Sequence, residues 1–257
     1  AGIGVSQALH TAMVEAGCPG GYEAAAANFM VFDKDGLIGT ARTGQTDEVM
    51  TYASKDLPDG MSLEEAVRKE KPQLILGLSG RRGTISEGAI RAMADAHERP
   101  IVFPLSNPTS SCEITPQEAY EWTGGKAIVA TGSPFEPVTI NGKTLNPSQC
   151  NNMYIFPGVG LGASVCLSET VPDSMLYRAA VALSKMTSEA ELSEGRVFPN
   201  VTSIREVSKE VAIAVAHHAY EKNLARRSPG RGESVEAMVL RKMYYPEYVP
   251  IMSKMYD

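Results

Sequence analysis

The chain begins Ala-Gly-Ile-Gly-Val, and the glycines at positions 2 and 4 run straight into a segment of helical spacing. Glycine at a helix start lets backbone amides approach a phosphate, whose charge the helix dipole stabilises. The stretch reads as the tail of a nucleotide-binding turn with no strand ahead of it. A helix frayed at a chain end accounts for the same residues. Asp33 closes the next strand-like run, NFMVFD, about 30 residues on. A carboxylate there can hydrogen-bond the ribose of an adenosine, although the usual spacing is roughly 20 residues. Lys34 and Arg42 supply cations that suit a 2′-phosphate, while Asp33 and Asp35 lean the local charge the other way. NAD and NADP therefore both stay open.

Three further stretches carry polar chemistry. GLSGRRG, Gly77 to Gly83, follows the apolar run QLILGL. Open α/β sheets bind ligands beyond the carboxyl ends of their strands, and Ser79 and Gly80 are small enough for a ligand to lie against the backbone. An ordinary glycine-rich turn has the same composition. In LSNPTS, Asn107 precedes Pro108 and is biased to an extended or turn conformation, which presents one amide donor group and one acceptor at a strand end. In NNMYIFPG, Asn151 and Asn152 enter an apolar segment, where an unpaired amide costs about 1–3 kcal/mol. A polar site or a capped helix start satisfies both.

Other chemistries find no support. His217 and His218 are neighbours in a helical stretch; their side chains diverge by about 100°, so they cannot share a metal and read as surface or interface residues. Neither HExxH nor GxSxG occurs, and Glu189, Glu191 and Glu194 read as a solvated face. A net charge of −6 argues against nucleic acid or an anionic membrane surface as partner. No apolar run approaches the roughly 20 residues of a membrane span. Cys18, Cys112, Cys150 and Cys166 form no CxxC pair and fit a reducing compartment.

The elements that must position these groups follow from periodicity. Val5, Ala8, Leu9, Ala12, Met13 and Ala16 form one helical stripe closed by Gly17. Ser62 and Glu65 open a helix that ends before Pro72, and Thr115, Pro116 and Glu118 open another that stops at Gly124 and Gly125. A further helix spans about Glu87 to His97. QLILGL, IVFPL and AIVAT alternate with these helices as strands, QLILGL as one buried on both faces. The pattern predicts an α/β fold with a Rossmann-like, mostly parallel sheet. VTINGKTL is a hairpin with an Asn-Gly turn. Helical stripes near 172–186 and 203–224 dominate the remainder. The expected divisions are a dinucleotide-binding part at 1–151, a helical part at 152–224 and a C-terminal tail at 225–257.

AGIGV opening a helix, FDKDGLI, LSNPT with CEITPQEAY, and GSPFEPV leading into QCNNMYIFPG resemble malic enzymes over essentially the whole chain. The resemblance implies oxidative decarboxylation of L-malate to pyruvate and CO2, with NAD or NADP and a Mg or Mn ion. It implies that Gly2 ends the phosphate turn, Asp33 meets the adenosine ribose with Lys34 beside it, and Ser79 and Gly80 line the cofactor. Asn107 would face the nicotinamide ribose and the malate, Asn151 the substrate, and Asn152 the nicotinamide. Where the family often has GQGNN, this chain has SQCNN. The family's tyrosine acid, lysine base and acidic metal ligands have no counterpart here. The expectation is therefore a C-terminal portion whose first sheet strand, catalytic acid and base, and metal ligands precede Ala1, inactive alone. The resemblance also implies a homodimer or homotetramer in the cytoplasm or mitochondrial matrix. The rival reading is a non-catalytic NAD(P)-binding regulatory module.

Overall fold

The computed structural model describes residues 1–246 and 248. Helices α1 (Gly2–Glu15) and α2 (Gly21–Ala26) lead to a short hairpin of β1 (Phe32–Asp33) and β2 (Gly36–Leu37). Then follow α3 (Asp47–Met50), α4 (Leu63–Glu70), β3 (Leu74–Gly77), α5 (Glu87–Ala96), β4 (Ile101–Pro104), α6 (Pro116–Thr123) and β5 (Ile128–Thr131). A second hairpin, β6 (Val138–Ile140) and β7 (Lys143–Leu145), precedes β8 (Ser148–Gln149). The rest is helical: α7 (Phe156–Cys166), α8 (Asp173–Ser184), α9 (Glu189–Ser193), α10 (Ile204–Glu221) and α11 (Val235–Lys242).

Four strands form the central sheet in the order β3-β4-β5-β8, all parallel. Ile75, Val102 and Val129 stand in register on one face, buried against Val67 of α4, Ile90 and Met93 of α5, and Tyr120 of α6. The opposite face, with Leu74, Leu76, Ile101, Phe103 and Ile128, is only half-buried. QLILGL is thus closed over on one side, because α4, α5 and α6 all contribute to the same cluster. The helices start where their caps require. Thr115 accepts from the Glu118 N–H at 3.2 Å, and Glu118 accepts from the Thr115 N–H at 2.8 Å. Pro116 fills the first turn, and Gly124 ends the helix at φ 62°. Ser62 and Glu65 make the same reciprocal pair. Asn141 and Gly142 both take positive φ, 53° and 77°, as a two-residue hairpin turn demands.

Two local expectations give way. NFMVFD does not extend into the parallel sheet, because the chain doubles back at once. Asp33 accepts from the Asp35 N–H at 2.8 Å, and Gly36 adopts φ 99°, so β1 pairs antiparallel with β2. Helix α1 turns a different face inward from the predicted stripe. Ala8, Leu9 and Ala16 are exposed, and His10 is its buried residue. His10 Nε2 lies 2.8 Å from the Tyr22 carbonyl, and Nδ1 lies 3.2 Å from the Tyr52 hydroxyl. A carbonyl only accepts, so Nε2 carries the proton and the two bonds pull the ring in.

The helical part has its own core around Met175, Val207, Val211 and Val215. Gly158 and Gly162 of α7 let that helix run close against α10. A Cβ at either would fall 2.6 Å from Val211 Cβ or the Ala212 carbonyl oxygen. His217 is half-exposed and bonds Glu236 at 2.9 Å, whereas His218 is buried and bonds the Ser174 hydroxyl at 2.9 Å. The surface reading therefore holds for the first histidine and fails for the second. Met238 and Val239 of α11 are buried against Val165 and Ala212. Among the described residues no helix is long and apolar enough to cross a membrane.

Candidate functional site

Parallel strands bring their carboxyl ends to one edge, and most of the expected polar residues stand there. Ser79 and Gly80 follow β3, Asn107 follows β4, Gly132 and Ser133 follow β5, and Asn151 and Asn152 follow β8. The ladder continues past the strands into these turns. The Leu105 N–H donates to Gly77, the Gly132 N–H to Pro104, and the Cys150 N–H to Thr131. The strands that Asn107 and Asn151 follow, β4 and β8, lie two strand spacings apart, about 10 Å. Asn107 and Asn152 are exposed and Asn151 is half-buried.

The two amides are used in the same way. The Asn107 side-chain oxygen accepts from the Ser133 hydroxyl. That of Asn151 accepts from the Met153 N–H at 3.0 Å, capping a 3-10 turn at Asn152–Tyr154. Among the described residues neither NH2 group is given a protein acceptor. Both turns of chain therefore present an oriented, unspent donor at the sheet edge. For Asn151 the capped-start reading and the polar-site reading hold together, since cap and donor are opposite ends of one side chain.

Sequence reasoning missed the residue that organises this edge. Glu113 is only 1% exposed. Its Oε1 accepts three hydrogen bonds: from the Ser79 N–H at 2.8 Å, the Ser79 hydroxyl at 2.8 Å and the Ser106 hydroxyl at 2.5 Å. Ser106 in turn accepts from the Gly80 N–H at 2.8 Å. Burial by itself would push the Glu113 carboxyl up, but the donated bonds outweigh it and hold the group below the usual carboxylate range. Oε2 is buried without a hydrogen-bond partner and packs on Gly77, where a Cβ would sit 2.5 Å from it. The available signal was an acid between Cys112 and Ile114, both buried at 1% exposure.

The remaining expected residues lie elsewhere. Asp33 and Lys34 belong to the β1–β2 hairpin, outside the four-stranded sheet. Asp33 Oδ2 takes a 2.6 Å ion pair from Arg42, whose Nε also bonds Asp59 at 2.8 Å. Partial burial raises the Asp33 carboxyl, and the bonds from Arg42 and the Asp35 N–H more than offset that, leaving it lowered. The charge of Arg42 is thus shared between two carboxylates. Oδ2 also accepts from the Gln45 amide at 3.4 Å, so it is Oδ1, bonded to the Asp35 N–H alone, that keeps a lone pair for a ribose hydroxyl. Lys34 is exposed and pairs with Asp35 at 2.9 Å. Gly2 starts α1, which packs on α2 and α8. A Cβ at Gly2 or Gly4 would meet nothing within 4 Å, and neither residue has a positive φ. Glycine weakens a helix by about 1 kcal/mol relative to alanine.

The residues present fit a dinucleotide along the sheet edge. They do not fit a resident cation: among the described residues no three His, Cys, Asp or Glu side chains are grouped to hold one.

An open parallel sheet with glycine, serine and amide groups at its carboxyl edge defines a Rossmann-like dinucleotide-binding domain. Comparison with known sequences narrows this class. Residues 1–220 match the family described as malic enzyme, NAD binding domain, and the chain belongs to that family. The NADP-dependent malic enzyme of Dictyostelium discoideum is 43% identical over 96% of this chain and 45% of its own length. The mitochondrial NAD-dependent malic enzyme of Ascaris suum is 38% identical over 91% of this chain and 36% of its own. The chain thus spans under half the length of these relatives. The crystal structure of Entamoeba histolytica malic enzyme superposes with a TM-score of 0.65 over 82% of this chain and 41% of its own, at 23% identity, which speaks for the fold.

Proposed function

We propose that this chain is the cofactor-binding and substrate-orienting part of an enzyme that oxidatively decarboxylates L-malate to pyruvate and CO2 while reducing NAD or NADP. The observation that carries the reading is the pair of unspent amide donors on Asn107 and Asn151, at the same carboxyl edge of the sheet as the Ser79–Gly80 turn. Malate carries two carboxylates and a hydroxyl, so it needs donors fixed in space, and orientation alone is worth several orders of magnitude in rate. The nicotinamide, when bound, accepts the hydride leaving malate C2. Asn107 and Asn151 hold the substrate so that this hydride faces the ring, and Asn152 steadies the carboxamide end of the cofactor. Asp33 accepts from the adenosine ribose, and Gly2 lets the pyrophosphate approach α1. Proton transfer and Mg or Mn binding belong to residues outside this set. Family membership further supports a homodimer or homotetramer.

Malate-dependent reduction of NAD or NADP by the polypeptide as its gene encodes it tests this reading. Turnover with either cofactor supports it; dinucleotide binding with no turnover would favour the regulatory module. Within the proposal, Lys34 stands beside the 2′-phosphate of NADP. Lys34→Ala is then expected to weaken NADP about two- to fivefold more than NAD, the scale of a solvent-screened ion pair. Equal loss for the two cofactors, measured by fluorescence titration, rules that contact out.

A further inference from the structure

Glu113 touches no expected ligand position itself, yet it determines what the turn after β3 offers to one. The Ser79 N–H goes to Glu113, the Gly80 N–H to Ser106, the Arg81 N–H to the Ser79 hydroxyl at 3.2 Å, and the Gly83 N–H to the Glu113 carbonyl at 2.8 Å. The Ser79 and Ser106 hydroxyl protons go to Glu113 as well. A glycine-rich turn grips phosphate through free amide donors, and these four are already taken. At Ser79 and Gly80 the backbone donors are thus spent within the protein, while Arg81 keeps an exposed side chain further along the turn. Resting on the dinucleotide reading above, we propose that Glu113 is a positioning residue. It spends the Ser79 and Gly80 donors and ties their turn to the one that carries Asn107, so that Ser79 and Gly80 receive the hydroxyls of the nicotinamide ribose and not a phosphate.

Two features place the ribose on the nicotinamide side. Glu113 and Ser106 tie the turn to the residue next to Asn107, whereas Asp33 lies in a separate hairpin. The clamp also needs a carboxylate. Hydrogen bonds to an ionised oxygen are stronger than those to a neutral amide oxygen. Glu113→Gln therefore weakens the three bonds at Oε1 and buries an NH2 where Oε2 has no partner.

The test is steady-state kinetics on the native polypeptide, with ADP as an inhibitor that fills only the adenosine half. Glu113→Gln is expected to raise KM for NAD(P) about tenfold, with kcat changed less than threefold and the inhibition constant of ADP unchanged within twofold. Ser106→Ala keeps the charge of Glu113 and removes only the bridging hydroxyl. It should shift KM in the same direction by about threefold, and it serves alone if Glu113→Gln does not fold. A merely structural role would worsen ADP and NAD(P) together, or neither, and either result overturns the proposal. Wild-type turnover with unaltered KM in both variants sinks the clamp and leaves the proposed function standing. A wild type that neither binds nor reduces NAD(P) removes both.

Discussion

Asn151→Ala is expected to lower kcat/KM for malate by about 10- to 150-fold in the native polypeptide, because a hydrogen bond to a charged substrate is worth about 1.5–3 kcal/mol. Within the proposed site, the effect falls on the substrate. The side-chain oxygen of Asn151 is spent on the Met153 N–H, so its function towards a ligand resides in the NH2 group. Alanine also deletes the cap, which costs about 1 kcal/mol of stability. Asn151→Asp separates the two effects. Aspartate keeps an oxygen for Met153, but replaces the donor with a charge that repels the malate carboxylates. It should retain the wild-type melting temperature more closely than alanine does and lose more activity. A change in kcat/KM under about twofold for Asn151→Ala would take this residue out of the site.

Gly132→Ala is expected to destabilise the fold by about 1–3 kcal/mol and to cut activity about 100-fold, the usual consequence of misplacing a reacting group by 1 Å. Gly132 has no positive φ, so the restriction is one of space. Its Cβ would press into the Leu105 carbonyl oxygen and lie 2.9 Å from both ends of the Asn107 amide. The first obstacle is backbone and cannot yield cheaply. The second is the side chain proposed to hold malate. Gly160→Ala is the matched control, since a Cβ there would meet nothing within 4 Å on an exposed face of α7. It should fold and turn over as well as wild type, with up to about 1 kcal/mol of added helix stability. Malate kinetics within threefold of wild type for Gly132→Ala, with an unchanged melting temperature, would show that Asn107 does not hold the substrate.

Local grammar in the sequence was enough for the features that residues settle with their neighbours. The capping pairs at Ser62 and Thr115, the Asn141–Gly142 turn and the run of parallel strands all emerge within a few positions of the residues that specify them. The asparagines were legible for a related reason: a strand end fixes where its next residue stands. Glu113 was not, because its partners Ser79 and Ser106 belong to two other turns, 34 and 7 residues away. Only the folded sheet brings them together. His10 shows the same limit. An apolar stripe predicts a buried face from side-chain type, but two polar partners, on Tyr22 and Tyr52, outweigh a stripe of small residues. At Asp33, a hydrogen bond to the chain two residues on and a glycine at position 36 won over the strand pattern.

The close approach at Gly158 and Gly162 reaches further than helix packing. Asn151 and Asn152 hang from the strand on one side, and on the other are bolted through α7 to α10, where Val211 and Val215 seat directly on the glycine backbone. Sheet and helices must consequently keep their alignment for the amides to stay aimed. On heating, loss of turnover should therefore accompany melting of the helical half, even while the sheet around Val102 and Val129 still holds its shape.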